Sequence, residues 1–185
     1  MIIGGGLAGL ISGFRLAKAG IPYKKKKKKS YPLHRVCGEY VSNEVVPFLK
    51  SIALYPHQFK PPVITNFQLS SVSGKSARMP LDLGGFGISR YSFDHFLYGH
   101  AKSLGVEFLL NEEVEMVEFK DDFFRIRTQR SEFEADIVIG AFGKRSKVDH
   151  QLDREFIRQR SPYVGVKYHI HTNHPHDLIA LHNFP

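Results

Sequence analysis

Met1-Ile2-Ile3-Gly4-Gly5-Gly6-Leu7-Ala8-Gly9-Leu10-Ile11-Ser12-Gly13-Phe14-Arg15-Leu16-Ala17-Lys18-Ala19-Gly20 opens the chain, and its reading decides the fold class. Leu7, Leu10, Ile11, Phe14 and Ala17 recur at helical spacing. Gly20 is a natural helix stop. Ahead of the helix stands an apolar strand clipped to Met1, Ile2 and Ile3. Between them, Gly4, Gly6 and Gly9 match the pattern G-x-G-x-x-G. Gly4 permits the tight turn, Gly6 lets the backbone approach a pyrophosphate, and Gly9 lets the helix pack closely on the strand. Leu7 and Ala8 open the helix, whose free N–H groups and positive dipole end suit phosphate. The motif alone is weak. Its strand–turn–helix setting makes dinucleotide binding the leading expectation, against a glycine turn that is merely structural.

The motif calls for an acidic residue about 20 residues on, at the end of a second strand, to hold the ribose hydroxyls. That place holds Ile21-Pro22-Tyr23 and then six lysines, Lys24 to Lys29. Lysines are poor candidates for a buried central strand, so the run reads as a solvated loop. It also supplies most of the net charge of +8; six fewer positive charges leave +2. Outside it the basic residues are mixed with acids, and no basic stripe of the nucleic-acid-binding kind is present. Taken by itself, the run offers electrostatic attraction to anionic lipid or nucleic acid.

Further along, a helix is expected over 43–52, with Pro47 in its first turn. Strands are expected over 63–72 and 78–81, and Gly84, Gly85 and Gly87 read as a loop. A helix through Phe93, Phe96, Leu97, His100 and Leu104 should end at Gly105. Strands are then expected over 106–110, 114–119, 123–128, 135–140 and 164–170, with Lys120-Asp121-Asp122 as a hairpin turn.

Four segments in a fixed order carry a family resemblance. Besides the glycine motif, 32–42 (Pro-Leu-His-Arg-Val-Cys-Gly-Glu-Tyr-Val-Ser) resembles the Cys-Gly-Glu segment of geranylgeranyl-reductase-like flavoproteins. Residues 89–94 (Ser-Arg-Tyr-Ser-Phe-Asp) resemble their Arg-x-x-φ-Asp helix start. Residues 135–146 (Ala-Asp-Ile-Val-Ile-Gly-Ala-Phe-Gly-Lys-Arg-Ser) resemble their strand and loop beside the nucleotide. The chain thus resembles an N-terminal fragment of an FAD-dependent oxidoreductase of the geranylgeranyl reductase and para-hydroxybenzoate hydroxylase type.

The resemblance implies an α/β fold: a Rossmann-like FAD-binding domain over 1–62 and 82–160, interleaved with antiparallel β segments of a partial substrate domain over 63–81 and 161–185. It implies FAD as cofactor, with NAD(P)H as a candidate electron donor and an apolar or aromatic small molecule as substrate. The cofactor-binding residues it implies are Gly4, Gly6, Leu7, Ala8 and Gly9 in the motif, Arg35, Cys37 and Arg90 near the flavin nucleotide, Val114 at the adenine edge through its backbone, and Ala141 with Gly143 beside the pyrophosphate. Three departures stand against it. Aligned by length, Lys27 occupies the place of the ribose-binding acid. Phe142 stands where many relatives carry Asp or Thr. The family's later Gly-Asp segment is absent, which suggests a fragment of a protein about twice as long.

Other residues have chemistry that admits more than one reading. Cys37 is the single cysteine, so no internal disulfide forms; it is either a redox-active thiol or an inert small hydrophobe. Glu39 is either a proton-transfer group or a surface glutamate. His169 and His171 would share one face of a strand, as metal ligands can, yet nothing completes a metal site. Arg125 and Arg127 read as a solvent face. Ser92 and Asp94 read as helix caps rather than parts of a triad.

With 42% hydrophobic and 12% aromatic residues in 185, a folded core is expected. No apolar run is long enough to span a bilayer and no basic leader precedes the strand, so a cytoplasmic setting is the default, with peripheral membrane contact left open. Two other functional classes compete with the flavin enzyme. One is a non-catalytic nucleotide-binding fragment. The other is a plain NAD-binding domain, which would not need the segments around Arg90 and Gly143.

Overall fold

The computed structural model describes residues 1–27, 29–144, 146–159 and 162–184. In chain order the elements are β1 (Ile2–Ile3), α1 (Leu7–Lys18), β2 (Lys24–Lys27), β3 (Tyr40–Ser42), α2 (Val46–Ser51), β4 (Val63–Ser70), β5 (Ser76–Gly87), α3 (Arg90–Ser103), β6 (Glu107–Leu110), β7 (Val114–Lys120), β8 (Phe123–Thr128), β9 (Glu132–Ala135), β10 (Ile139–Gly140), α4 (Lys147–Gln151), α5 (Glu155–Arg158) and β11 (Leu178–His182). The architecture is mixed α/β with three sheets. The chain divides into two compact units, Met1–His34 with Asp94–Val164, and Arg35–Phe93 with Gly165–Pro185.

The first unit holds a four-stranded parallel sheet of order β10-β1-β2-β6. Ile2 and Ile3 are buried at its centre, and Leu10 and Phe14 of α1 are buried at the helical spacing read from the sequence. Parallel strands joined by a helix bury both faces, which is why the short β1 is wholly apolar. An antiparallel meander, β7-β8-β9, belongs to the same unit. Val114 and Ile126 of the meander share a buried cluster with Ile3 and Val148. Asp121 and Asp122 both have positive φ, +55° and +65°, as a two-residue hairpin turn between β7 and β8 requires.

The lysine run departs from its sequence reading. Residues 24–27 are a strand, not a solvated loop: Lys25 pairs with Ile2 on one side and Phe108 on the other. Strand pairing uses backbone groups, and the apolar neighbours β1 and β6 supply both ladders whatever β2 carries. Lys24, at the strand's start, keeps its ammonium half-exposed 3.7 Å from Glu107. The stretch 135–140 also differs from the expected single strand. Its first residue ends β9 in the meander, and only Ile139 and Gly140 join the parallel sheet.

α4 begins with a capping box. Ser146 Oγ accepts the Asp149 N–H at 3.0 Å, and Asp149 Oδ2 accepts the Ser146 N–H at 3.2 Å. Asp149 is fully buried; its Oδ1 has no hydrogen-bond donor among the described residues but lies 3.7 Å from the Arg154 guanidinium, an ion-pair distance. Ser146→Ala should cost about 1 kcal/mol. Chemical denaturation checks this, and an unchanged midpoint would remove the cap from the ledger of this helix.

The second unit is built on a sheet of order β11-β4-β5-β3. β4 and β5 run antiparallel, with a register shift between Ile64 and Asn66. The glycines read as a loop lie inside β5 instead. Gly84 has φ +63°, and a Cβ there would lie 2.8 Å from the Ile64 carbonyl oxygen, so this glycine allows the strand to turn at the irregularity. Residues 164–170 form no strand, because no neighbouring strand pairs with them; β11 takes the place beside β4, in parallel. Phe86, Ile64, Leu49, Ile52 and Leu54 are buried in this unit.

Candidate functional site

All four strands of the parallel sheet point the same way, so their following loops emerge at one edge. Ligands of open α/β sheets bind at that carboxyl edge, where the strand order reverses. Here the reversal falls at β1: the chain passes by α1 to β2 on one side, and β10 enters later on the other. The loops after β1 and β10 meet there. Ala141 N–H donates to the Ile3 carbonyl at 2.7 Å.

Their approach is too close for side chains. Gly4 has φ +113°, and a Cβ on it would lie 2.1 Å from the Ala141 carbonyl oxygen. A Cβ on Gly9 would lie 2.4 Å from the Gly4 carbonyl oxygen and 3.2 Å from Ala141 Cβ. Gly4, Gly9 and Ala141, singled out from the sequence, are therefore brought together. Gly6 is the N-cap of α1, and its carbonyl accepts the Leu10 N–H at 2.9 Å. Leu7 and Ala8 are the first helical residues, with no side-chain cap and no acidic residue in that turn. The helix thus offers N–H groups and a positive dipole end at the carboxyl edge of the sheet. Gly143 follows with φ +75°, a conformation that favours glycine. Val114 starts β7, and its side chain is buried with Ile3, Ile126 and Val148.

Two contributors escaped the sequence reading. The Tyr31 hydroxyl donates to the Gly5 carbonyl at 2.7 Å, tying the turn after β2 to the glycine loop. The Tyr31 ring stacks on Tyr98 at 4.5 Å and meets Phe108 edge-on at 6.4 Å. No periodicity links these three aromatics. The other is Gly13, where a Cβ would lie 2.5 Å from the Tyr23 hydroxyl. Burial pushes the Tyr23 phenol up to about 12, and its oxygen has no hydrogen-bond partner among the described residues.

The second unit contains Arg35, Cys37 and Arg90. Its organising group is Glu39. Glu39 has φ +59° and a largely buried side chain. Its Oε1 accepts the Arg90 N–H at 2.8 Å, at the first turn of α3, and also the Lys167 ammonium. Its Oε2 lies 3.2 Å from His169 Nε2. The Glu39 N–H approaches Cys37 Sγ at 3.5 Å, and its carbonyl accepts the Ile88 N–H at 2.9 Å. Burial works against the charge of this carboxylate. The hydrogen bonds from Lys167 and Arg90 and the Lys167 charge outweigh it, with His169 adding to them, so the carboxyl titrates below the ordinary glutamate range. Residues 36–39 and 166–169 line an open cleft of about 410 Å³. Arg35 lies half-buried at the start of this unit.

The remaining sequence candidates resolve as structure. Ser89, not Ser92 or Asp94, caps α3: its Oγ accepts the Ser92 N–H at 3.1 Å. Asp94 is wholly buried one turn into the helix. Arg125 pairs with Asp121 at 3.5 Å and Glu134 at 4.0 Å, consistent with a charged solvent face. Among the described residues no group of three His, Cys, Asp or Glu side chains could hold a metal ion, and no helix is long and apolar enough to cross a membrane.

No protein-family model and no curated protein matches the sequence. Solved structures do match. Halogenase PltM is similar over 82% of this chain and 35% of its own, at 22% identity and a TM-score of 0.68. p-Nitrophenol 4-monooxygenase PnpA from Pseudomonas putida DLL-E4 is similar over 82% of this chain and 42% of its own, at 20% identity and a TM-score of 0.72. The chain shares the fold of a halogenase and a monooxygenase. PltM has been solved in complex with phloroglucinol and FAD, and that structure matches at a TM-score of 0.68. CtdE, solved with FAD and a substrate, matches at 0.65. The chain spans less than half the length of these proteins.

Proposed function

We propose that the chain is the nucleotide-binding part of an FAD-dependent oxidoreductase acting on an apolar or aromatic small molecule. One observation carries this reading: Gly4, Gly9 and Ala141 let the loops after β1 and β10 pack backbone on backbone at the carboxyl edge of the parallel sheet, beside the uncapped N-terminus of α1. That is the arrangement a Rossmann-like glycine motif needs to receive a pyrophosphate. The pyrophosphate end of FAD therefore fits. Gly6, Leu7 and Ala8 would present N–H groups to it, and Gly143 would border it. FAD, when bound, would supply the redox chemistry, with NAD(P)H as a candidate donor. Arg35, Cys37 and Arg90 are proposed on the flavin side, by the family resemblance of their segments. On this reading 1–62 and 82–160 form the FAD domain, and 63–81 and 161–185 belong to a substrate domain. The Cys-Gly-Glu segment favours the reductase or hydroxylase branch.

Titration with FAD, followed by flavin fluorescence with NAD as control, tests the reading. Saturable FAD binding, and a yellow protein that bleaches with a reductant and reoxidises in air, is the expected result. Absence of FAD binding would sink it. A non-catalytic nucleotide-binding module is the second reading, since the glycine-loop geometry answers to a pyrophosphate and includes no reacting group. Such a module would bind nucleotide and show no substrate-dependent reoxidation.

A further inference from the structure

Consecutive glycines leave a backbone that sterics alone do not define. Gly4 and Gly6 have places in the motif, whereas Gly5 stands at its variable position. With no Cβ on Gly5 or Gly6, the peptide between them can turn over by paired changes of ψ and φ at little steric cost. Its direction decides what the loop offers an anion. In a planar trans peptide the C=O and the N–H point to opposite sides. One orientation turns the Gly6 N–H toward a ligand. The other turns the Gly5 carbonyl there, and a carbonyl oxygen repels phosphate oxygens.

A side chain from outside the loop fixes this choice. Gly5 is buried, and its carbonyl accepts the Tyr31 hydroxyl at 2.7 Å. The Gly6 N–H therefore points away from Tyr31. Gly6 is only half-buried, and its N–H meets no acceptor among the described residues. Tyr31 is itself held in place. Its ring stacks on Tyr98 of α3, with 4.5 Å between centroids and 21° between planes, and meets Phe108 of β6 edge-on at 6.4 Å. Tyr98 and Phe108 brace each other at 4.7 Å. A ring packed against both a helix and a strand cannot follow a turning peptide without giving up these contacts.

We infer that Tyr31 is a positioning residue of the nucleotide site: its hydroxyl, through the Gly5 carbonyl, aims the Gly6 N–H at the pyrophosphate. The inference rests on the reading that the glycine loop receives a pyrophosphate.

Tyr31→Phe removes the hydroxyl and keeps the ring. Calorimetric titration of the unaltered chain and of this variant with 5′-ADP and FAD tests the inference, together with amide nitrogen–proton correlation spectra of both proteins with and without ligand. An N–H donated to a phosphate oxygen is a charge-assisted bond, worth about tenfold or more in affinity. The expected result is that Tyr31→Phe binds both ligands about tenfold more weakly. The Gly6 amide should shift on ligand binding in the unaltered chain and much less in the variant, while the Leu7 and Ala8 amides shift in both. A hydroxyl with a merely structural role would lower the urea midpoint and leave the ligand-induced Gly6 shift as it was; that outcome would overturn the inference. Equal affinities in the two proteins would overturn it too, leaving the flavin reading intact wherever FAD binds. On the unaltered chain alone, FAD binding with no shift of the Gly6 amide would overturn it, so the test does not depend on the variant folding. Failure of both ligands to bind the unaltered chain would overturn the inference and the flavin reading together.

Discussion

Gly4→Ala is expected to abolish FAD binding and to destabilise the unit carrying the glycine loop by about 2–4 kcal/mol. Two costs combine. The φ of +113° is one that an L side chain rarely adopts, and the added Cβ would stand 2.1 Å from the Ala141 carbonyl oxygen and 2.5 Å from the Phe142 nitrogen. Both obstacles are backbone, so no rotamer change relieves them. The chain could only separate the loops after β1 and β10, and the bond from Ala141 N–H to the Ile3 carbonyl would be lost. Gly20→Ala is the control. Gly20 also has positive φ, +69°, but nothing lies within 4 Å of its Cβ position. It should cost only the left-handed conformation, about 1 kcal/mol. Urea unfolding of the two variants separates these costs. Equal losses would mean that the close approach to Ala141 contributes nothing, and the pyrophosphate cradle would lose its structural basis.

The same residues show where sequence reading succeeds and where it stops. The glycine turn was legible because its pattern is local: a tight turn at Gly4, a helix start at Gly6 and the approach of Gly9 to the Gly4 carbonyl all fall within a few residues. Ala141 was legible only through family likeness, since its partner Gly4 lies far away in sequence. The lysine run misled because side-chain burial was used to judge a strand, whereas pairing with β1 and β6 depends on backbone groups. Residues 164–170 misled in the opposite sense. Their alternation suits a strand, but a strand also needs a neighbour. Tyr31 was silent because neither a hydroxyl on a distant carbonyl nor a stack on Tyr98 leaves a periodic trace. Glu39 was half-visible: its segment drew notice for the cysteine beside it, while its partners Arg90 and Lys167 come from other parts of the chain.

Glu39→Ala should be among the costliest substitutions in the second unit, and Glu39→Gln should separate charge from shape. Alanine removes the acceptor of the Arg90 N–H at the start of α3 and strands the largely buried Lys167 ammonium. Losing one partner of such a pair costs roughly 3–5 kcal/mol. Glutamine keeps an oxygen for the Arg90 N–H but gives up the charge, so its loss should be smaller, roughly 1–3 kcal/mol at neutral pH. Acid then tests the cause. Partners in the folded state hold the Glu39 carboxyl below its ordinary value, so the folded state binds that proton less readily than the unfolded chain. Its contribution is present in full above the unfolded value and is lost as pH falls through the folded one. Unfolding midpoints of the unaltered protein and of Glu39→Gln should therefore converge on acidification, because a protonated glutamate and a glutamine are both neutral. A gap that persists undiminished into acid would show that the charge of Glu39 does not hold residues 166–169 against 36–39.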